Sequence, residues 1–366
     1  MYWQRVARAA GQLCWLLKMV RRWPSSPSSS PTSRTSDHSS PPTLKQPSMA
    51  PTRTYKDHAV GVICALAIEK AAVEAMLDER HPPLKTIQGD ENSYTLGGIG
   101  KHNVVVACLP AGVMGNNSVT ECRESIFPIK IGLMVGVGGG VWSRKVDMRL
   151  GDVVVSQPDG THGGVVQWDF GKMEKGGVFK RTGSLNKLPR VLLNALQDIK
   201  IRHMTEGDKL AEYLSTMATN SSRMAQTFGY QGAEYDQLFE ATYDHERGDT
   251  CDGCDQDRVI KRLPARTDPA PRIHYGNIAS GNEVMKHGVT RDRIANEEGV
   301  LCFEMEAAGL MDSFPCLVIR GICDYADFHK NKRWQPYAAA TAAAFAKELL
   351  DVINKQEVDE LGPASE

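Results

Sequence analysis

The sequence predicts an α/β domain, a central twisted mixed β-sheet flanked by helices, and three stretches carry that prediction. The segment AVGVICAL from Ala59 is a short apolar run that passes at Ala67 into helix formers with apolar positions at Ala71, Val73, Met76 and Leu77. The segments SYTLGGIG and HNVVVACLP, separated by a turn, read as an antiparallel hairpin. From Val300 to Asp327, VLCFEMEAAGLMDSFPCLVIRGICDYAD reads as strand, helix, strand, a parallel crossover unit whose two apolar runs stop at acids. Ligands in open α/β sheets bind beyond the carboxyl ends of strands, so Glu306 and Asp324 are expected to face one crevice.

The other elements follow in order. A flexible loop, Ala111 to Asn117, precedes a helix around Ser118 to Phe127, and IKIGLMVGVGG is a buried strand ending in Gly136-Val137-Gly138-Gly139-Gly140. Glycines there let backbone approach a ligand, which makes Gly138 and Gly139 candidate contacts. A dinucleotide-binding fingerprint is excluded because no long helix follows: GVWSRKVDMRL runs through a polar turn into the strand GDVVVS. An amphipathic helix is expected near Lys187 to Ile199. Residues 205–272 are polar and break the alternation, as an insertion would, and HYGNIASGNEVMK resumes the core as a strand with a helix starting near Asn282. QPYAAATAAAFAKELLDVINK is a helix closing the core.

Composition bounds the class. The 366 residues are 41% hydrophobic and 24% charged with a formal net charge of −1, which suits a globular domain and argues against a polyanion-coating surface. Residues 1–54 form a Ser/Pro/Thr-rich N-terminal extension expected to be disordered, 55–355 the folded domain, and 356–366 a disordered tail. The acid-free stretch before Asp37 allows a mitochondrial presequence, although a start at Met49 suits a cytoplasmic protein better. GQLCWLLKMV is too short to span a bilayer. Nine cysteines, mostly inside apolar runs, suit a reduced compartment. Cys251-Asp252-Gly253-Cys254 with His245 upstream offers one pair where structural zinc usually takes two, so this segment reads as a loop and no metal or cofactor is expected.

Several charged residues carry chemistry. Glu69 sits at the first strand-to-helix turn, as a capping acid or as part of a rim of acids. Glu304 and Glu306 suit either the first turn of the following helix or a ligand. Arg320, interior to an apolar strand, demands an anionic partner. Asp324 competes with Asp327 for the strand end, and Lys330, Lys332 and Arg333 form a charge run that is either a solvated loop or a set of 5′-phosphate contacts.

Seven segments in order, VGVICALAIEKAAVEAM, AGVMGNNS, VGVGGGV, GDVVVS, IASGNEV, FEMEAAG and IRGICDYAD, carry a resemblance over Gly61 to Leu350. The chain resembles the nucleoside phosphorylase and nucleosidase superfamily. In particular it looks like the purine and uridine phosphorylase-like domain of fungal proteins, often found at the front of receptor-like chains, with a mechanistic likeness to methylthioadenosine nucleosidase. The resemblance implies that Asp324 is the general acid toward the departing purine and that Glu306 and Met305 bind ribose. It further implies that Glu69 orients the attacking water, that Arg320 helps hold it, and that Asn282, Glu283, Val284 and the ring of Phe303 meet the base.

N-glycosidic cleavage passes through an oxocarbenium-like ribose, which calls for an acid at the base and anionic surface at the sugar. Many relatives that use phosphate place Arg after the first strand and Ser in the Gly-rich loop, where this chain has LAIEK and VGVGGG. Hydrolysis is therefore favoured over phosphorolysis, with a non-catalytic nucleoside-sensing module as the reading from another class. The expected partner is a purine nucleoside or nucleotide, not nucleic acid or membrane, and the resemblance implies a homo-oligomer.

Overall fold

The computed structural model describes residues 53–364, apart from 86–89, 91, 114, 117–126, 246–247, 249, 263–265 and 267. The expected N-terminal disorder and the helix around Ser118 to Phe127 thus fall almost wholly outside the described residues. Those residues fold as one unit, Arg53–Glu366.

The first strand, β1 (Val60–Cys64), leads directly into α1 (Ala67–Ala75). A short β2 (Glu79–Arg80) and the hairpin β3 (Tyr94–Ile99) and β4 (His102–Cys108) follow, then β5 (Ile131–Gly140) and β6 (Val153–Ser156). Three short strands, β7 (Val165–Gln167), β8 (Gly171–Met173) and β9 (Phe179–Arg181), precede three helices: α2 (Arg190–Glu206), α3 (Leu210–Asn220) and α4 (Ser222–Phe228). The core resumes with β10 (Ile273–Ser280), α5 (Gly288–Glu298), β11 (Val300–Glu304), α6 (Ala308–Met311) and β12 (Cys316–Asp324), and closes with α7 (Gln335–Val352) and α8 (Lys355–Glu360).

Among the described residues ten of these strands make a mixed sheet in the order β11-β10-β6-β12-β5-β1-β4-β3-β2, with β7 on β10, and β8 and β9 pair separately. One further pairing bends it: β11 also binds β5, antiparallel, through Cys302 with Gly140 and Phe303 with Gly139. The strands β5, β12, β6, β10 and β11 therefore close into a ring. α7 packs against β12, β5 and α1, and its run Ala338–Ala346 is buried because small side chains let it lie close on the sheet.

Four expectations need correction. The strand-helix-strand unit is not a parallel crossover: β12 runs parallel to β5 while β11 runs antiparallel to it, so the two acid-bearing strands are opposed. No helix begins at Asn282, whose backbone N–H donates to Asp169 Oδ2 at 2.6 Å and whose side-chain oxygen accepts from Asn116 N at 3.2 Å; α5 starts at Gly288. The insertion contains α3 and α4, which bury Leu210, Met217 and Phe228 despite their polar surroundings. The tail is ordered through α8, capped by Asn354 and anchored by fully buried Val358, and Ala364 N donates to Ile129 O at 2.7 Å.

Candidate active site

The site lies where β5 meets β11 on one side and β12 on the other. Gly139 is the register partner of both Phe303 and Asp324, so the ends of the opposed strands arrive at one place. Side chains there need room, and the glycines of β5 provide it. A Cβ on Gly139 would stand 2.7 Å from Asp324 Oδ1, and one on Gly136 would stand 2.3 Å from Arg320 Nη1 and 2.5 Å from Glu69 Oε1. These glycines lie within the strand rather than in a loop after it.

Glu69, in the first turn of α1, is 2% exposed. Its Oε2 accepts from Ala65 N and Leu66 N, both at 2.8 Å, and its Oε1 accepts from Val137 N at 2.8 Å. It therefore caps the helix and is fixed in orientation at the same time. Burial raises its pKa, against the pull of Arg320 and the three amides. Arg320, wholly buried, pairs with Glu304 and stands 3.6 Å from Glu306 Oε2. Glu304 also accepts from Glu306 N and Ala307 N, each at 3.1 Å, which fixes the turn into α6. Glu306 accepts a hydrogen bond from the Met305 backbone; burial, opposed by Arg320 and reinforced by Glu304, pushes its pKa up to about 7.

A cavity of 320 Å³ opens beside these groups. Glu69, Glu304, Met305, Glu306, Gly138, Gly139 and Phe303 line it, together with Glu283, Val284, Lys330 and Lys332. Asp324 lines a neighbouring cavity of 250 Å³ that shares Cys323 and Lys332 with the first. Its Oδ1 accepts from Ala326 N at 2.9 Å, and Lys330 Nζ lies 3.0 Å from Oδ2.

The chain is 45% identical over 318 residues, 86% of its length, to a nucleotide-binding leucine-rich repeat (NLR)-like protein of Hyaloscypha variabilis, and spans 31% of that relative. It is 24% identical over 306 residues, 80% of its length and 96% of the relative's, to the 5′-methylthioadenosine/S-adenosylhomocysteine nucleosidase of Mycobacterium tuberculosis. In structure it superposes on a Borrelia burgdorferi protein, described as a nucleosidase of that type and solved bound to adenine, with a TM-score of 0.50, covering 80% of this chain and all of that one at 15% identity. The chain is similar to these nucleosidases in sequence and shares the fold of the nucleoside phosphorylase and nucleosidase superfamily. No protein-family model matches it.

Most of the residues expected from the superfamily motifs gather around the cavity, and the exceptions are informative. Arg320 is not in the cavity lining: its Nη2 pairs with Glu304 and stands 3.6 Å from Glu306, while its Nε has no hydrogen-bond partner among the described residues. Asn282 is outside the lining and ties Asp169 to Asn116. Of the three cations read as 5′-phosphate contacts, Lys330 is engaged by Asp324, and Arg333 stacks 3.8 Å over the Tyr235 ring. Lys332 faces the cavity, and no ion pair among the described residues engages it.

Sequence reasoning missed Ser280 and Asn116. Buried Ser280 Oγ donates to Asn116 Oδ1 at 3.1 Å and accepts from Ala308 N at 2.9 Å, which holds the start of α6 and hence Glu306. IASGNEV and GNNS marked the segments without showing that they touch. Among the described residues no helix is long and apolar enough to cross a membrane.

Proposed function

We propose that the chain is an N-glycosidase that hydrolyses the bond between ribose and a purine, acting on a nucleoside or nucleotide. The observation that carries this is the placement of Glu69 and Glu306 in the lining of one cavity, with Arg320 3.6 Å from the second. In the proposed reaction the bond from C1′ to the base nitrogen lengthens first, and its electron pair goes to the base. Glu306 accepts hydrogen bonds from the ribose hydroxyls and, as a carboxylate, stabilises the positive charge developing on the sugar. Asp324 donates a proton to the departing base. Water then bonds to C1′ and gives its proton to Glu69, whose geometry is fixed by the three backbone amides.

Charge favours water over phosphate as the nucleophile. Glu69 presents a buried carboxylate to the cavity, and of the nearby cations Lys332 is engaged by no ion pair among the described residues while Arg320 and Lys330 are held by carboxylates. Chromatographic measurement of free adenine from adenosine, methylthioadenosine, AMP and ATP, with and without phosphate, tests the reading. Base release that needs no phosphate is expected; strict phosphate dependence overturns it in favour of phosphorolysis.

The extent of the NLR-like relative, of which this chain matches about a third, favours a second reading as a nucleoside-sensing module of a longer protein. Saturable binding of nucleosides without any base release is the result that would select it.

A further inference from the structure

A second cluster of chemistry lies in the insertion, away from Glu69 and Glu306. His245, Cys251 and Cys254 each offer a ligand atom, and the three atoms lie within 4.8 Å of one another. Three donors leave a tetrahedral metal incomplete, which is why the sequence, with one C-x2-C pair, reads as a loop there. The fold brings a fourth donor next to them, with its ring nitrogens outside that 4.8 Å group.

His329, from the loop after β12, is 8% exposed, and neither of its ring nitrogens has a hydrogen-bond partner among the described residues. Two unsatisfied nitrogens on a buried ring are costly and call for a ligand. The ring stacks on Phe239 at 4.0 Å with an interplanar angle of 13°, which fixes its plane, and stands 5.7 Å from the His245 ring. His245, Cys251 and His329 line one cavity, and Cys251 Sγ lies 3.7 Å from His329 O. His245 Nε2 is 2.9 Å from the Thr250 carbonyl. A proton held there leaves Nδ1 with its lone pair, the usual outer-shell arrangement of a metal-binding histidine.

We propose that His245, Cys251, Cys254 and His329 form a tetrahedral site for a soft divalent cation of the zinc class, clamping the insertion to the loop that carries Lys330. Two thiolates and two imidazoles are a donor set zinc takes readily. Ligand atoms around tetrahedral zinc with bonds of about 2.3 Å are about 3.8 Å apart, so binding requires the His329 side chain to move in toward the other three donors. The clamp acts on the active site through one covalent step, because Lys330 follows His329 directly and its Nζ meets Asp324. The role is structural: the metal has no part in bond cleavage, and the site does not depend on the glycosidase reading.

Metal content is the test. The full chain, purified under reducing conditions and assayed by elemental mass spectrometry, is expected to carry a single zinc, which C251S/C254S loses and H329A holds less tightly against a chelator. Should the variants fail to fold, the native protein with cobalt in place of zinc is expected to show thiolate-to-cobalt charge transfer. Native protein that takes up neither metal, undiminished zinc in folded C251S/C254S, or a Cys251–Cys254 disulfide under those reducing conditions overturns the proposal.

Discussion

Gly136 and Arg320 are register partners on β5 and β12, and the absent side chain of the first is the space occupied by the second: a Cβ would stand 2.3 Å from Nη1. Gly136→Ala is therefore expected to displace the guanidinium from Glu304 and Glu306, costing about 1–3 kcal/mol by overpacking and most of the activity. Denaturant unfolding and base release measured on the same preparation check it. An alanine variant with unchanged stability would show that the contact is slack.

Glu69→Gln keeps the shape of the side chain but cannot take a proton from water. Base release is expected to fall by about 10²–10⁴-fold while nucleoside affinity, read by calorimetry, changes little. Full activity in this variant would remove Glu69 from the reaction.

Burial pushes the Glu306 pKa up to about 7 from 4.5, so its useful carboxylate form accumulates only near neutrality. Because kcat/KM reports the free enzyme, it is expected to rise with pH through about 7. Glu306→Gln is expected to flatten that rise and lower kcat/KM by about 100-fold through weakened hydrogen bonds to the sugar. Folding stability shifts the other way. The native state holds this proton more tightly than the unfolded chain, so the contribution of Glu306 declines as pH climbs from about 4.5 to about 7 and is constant above.

Asp324→Asn removes a proton donor needed for a poor leaving group. A loss of about 10²–10⁴-fold is expected on purine nucleosides, and a much smaller one on a nitrophenyl riboside, whose leaving group departs without protonation. Equal losses on both substrates would point to a structural role for Asp324.

Lys332 tests the 5′ group. If AMP or ATP is the substrate, Lys332→Ala is expected to raise KM for the nucleotide by about 10- to 100-fold and leave adenosine unaffected, as loss of one charge-assisted contact predicts. Parallel changes on both substrates would place the phosphate elsewhere.

The elements legible in the sequence are those whose own residues settle them. Val60–Cys64, Ile131–Gly140 and Cys316–Asp324 are apolar enough to be strands anywhere in a core, and Ala338–Ala346 could be little but a buried helix. Glu69, Glu304 and Glu306 stood at the ends of such runs, so their neighbourhood followed. Strand direction did not, because whether β11 runs with β12 or against it is decided by which neighbours it pairs with, and nothing within VLCFE records that. The Asn282 segment was misjudged for a similar reason, since Asp169 and Asn116 are remote in the chain. His329 as a neighbour of His245 was equally invisible, lying on the far side of five further core elements.

The five-strand ring has no end strand to fray. Its register cannot creep by a residue at a time, so the separations of Arg320 and Asp324 from the glycines of β5 are inherited from backbone ladders instead of from loop packing. Catalytic geometry and global unfolding are thereby joined: amide protons of β5 and β12 are expected to exchange only when the whole domain opens, and warming the protein should abolish turnover at the melting transition rather than before it.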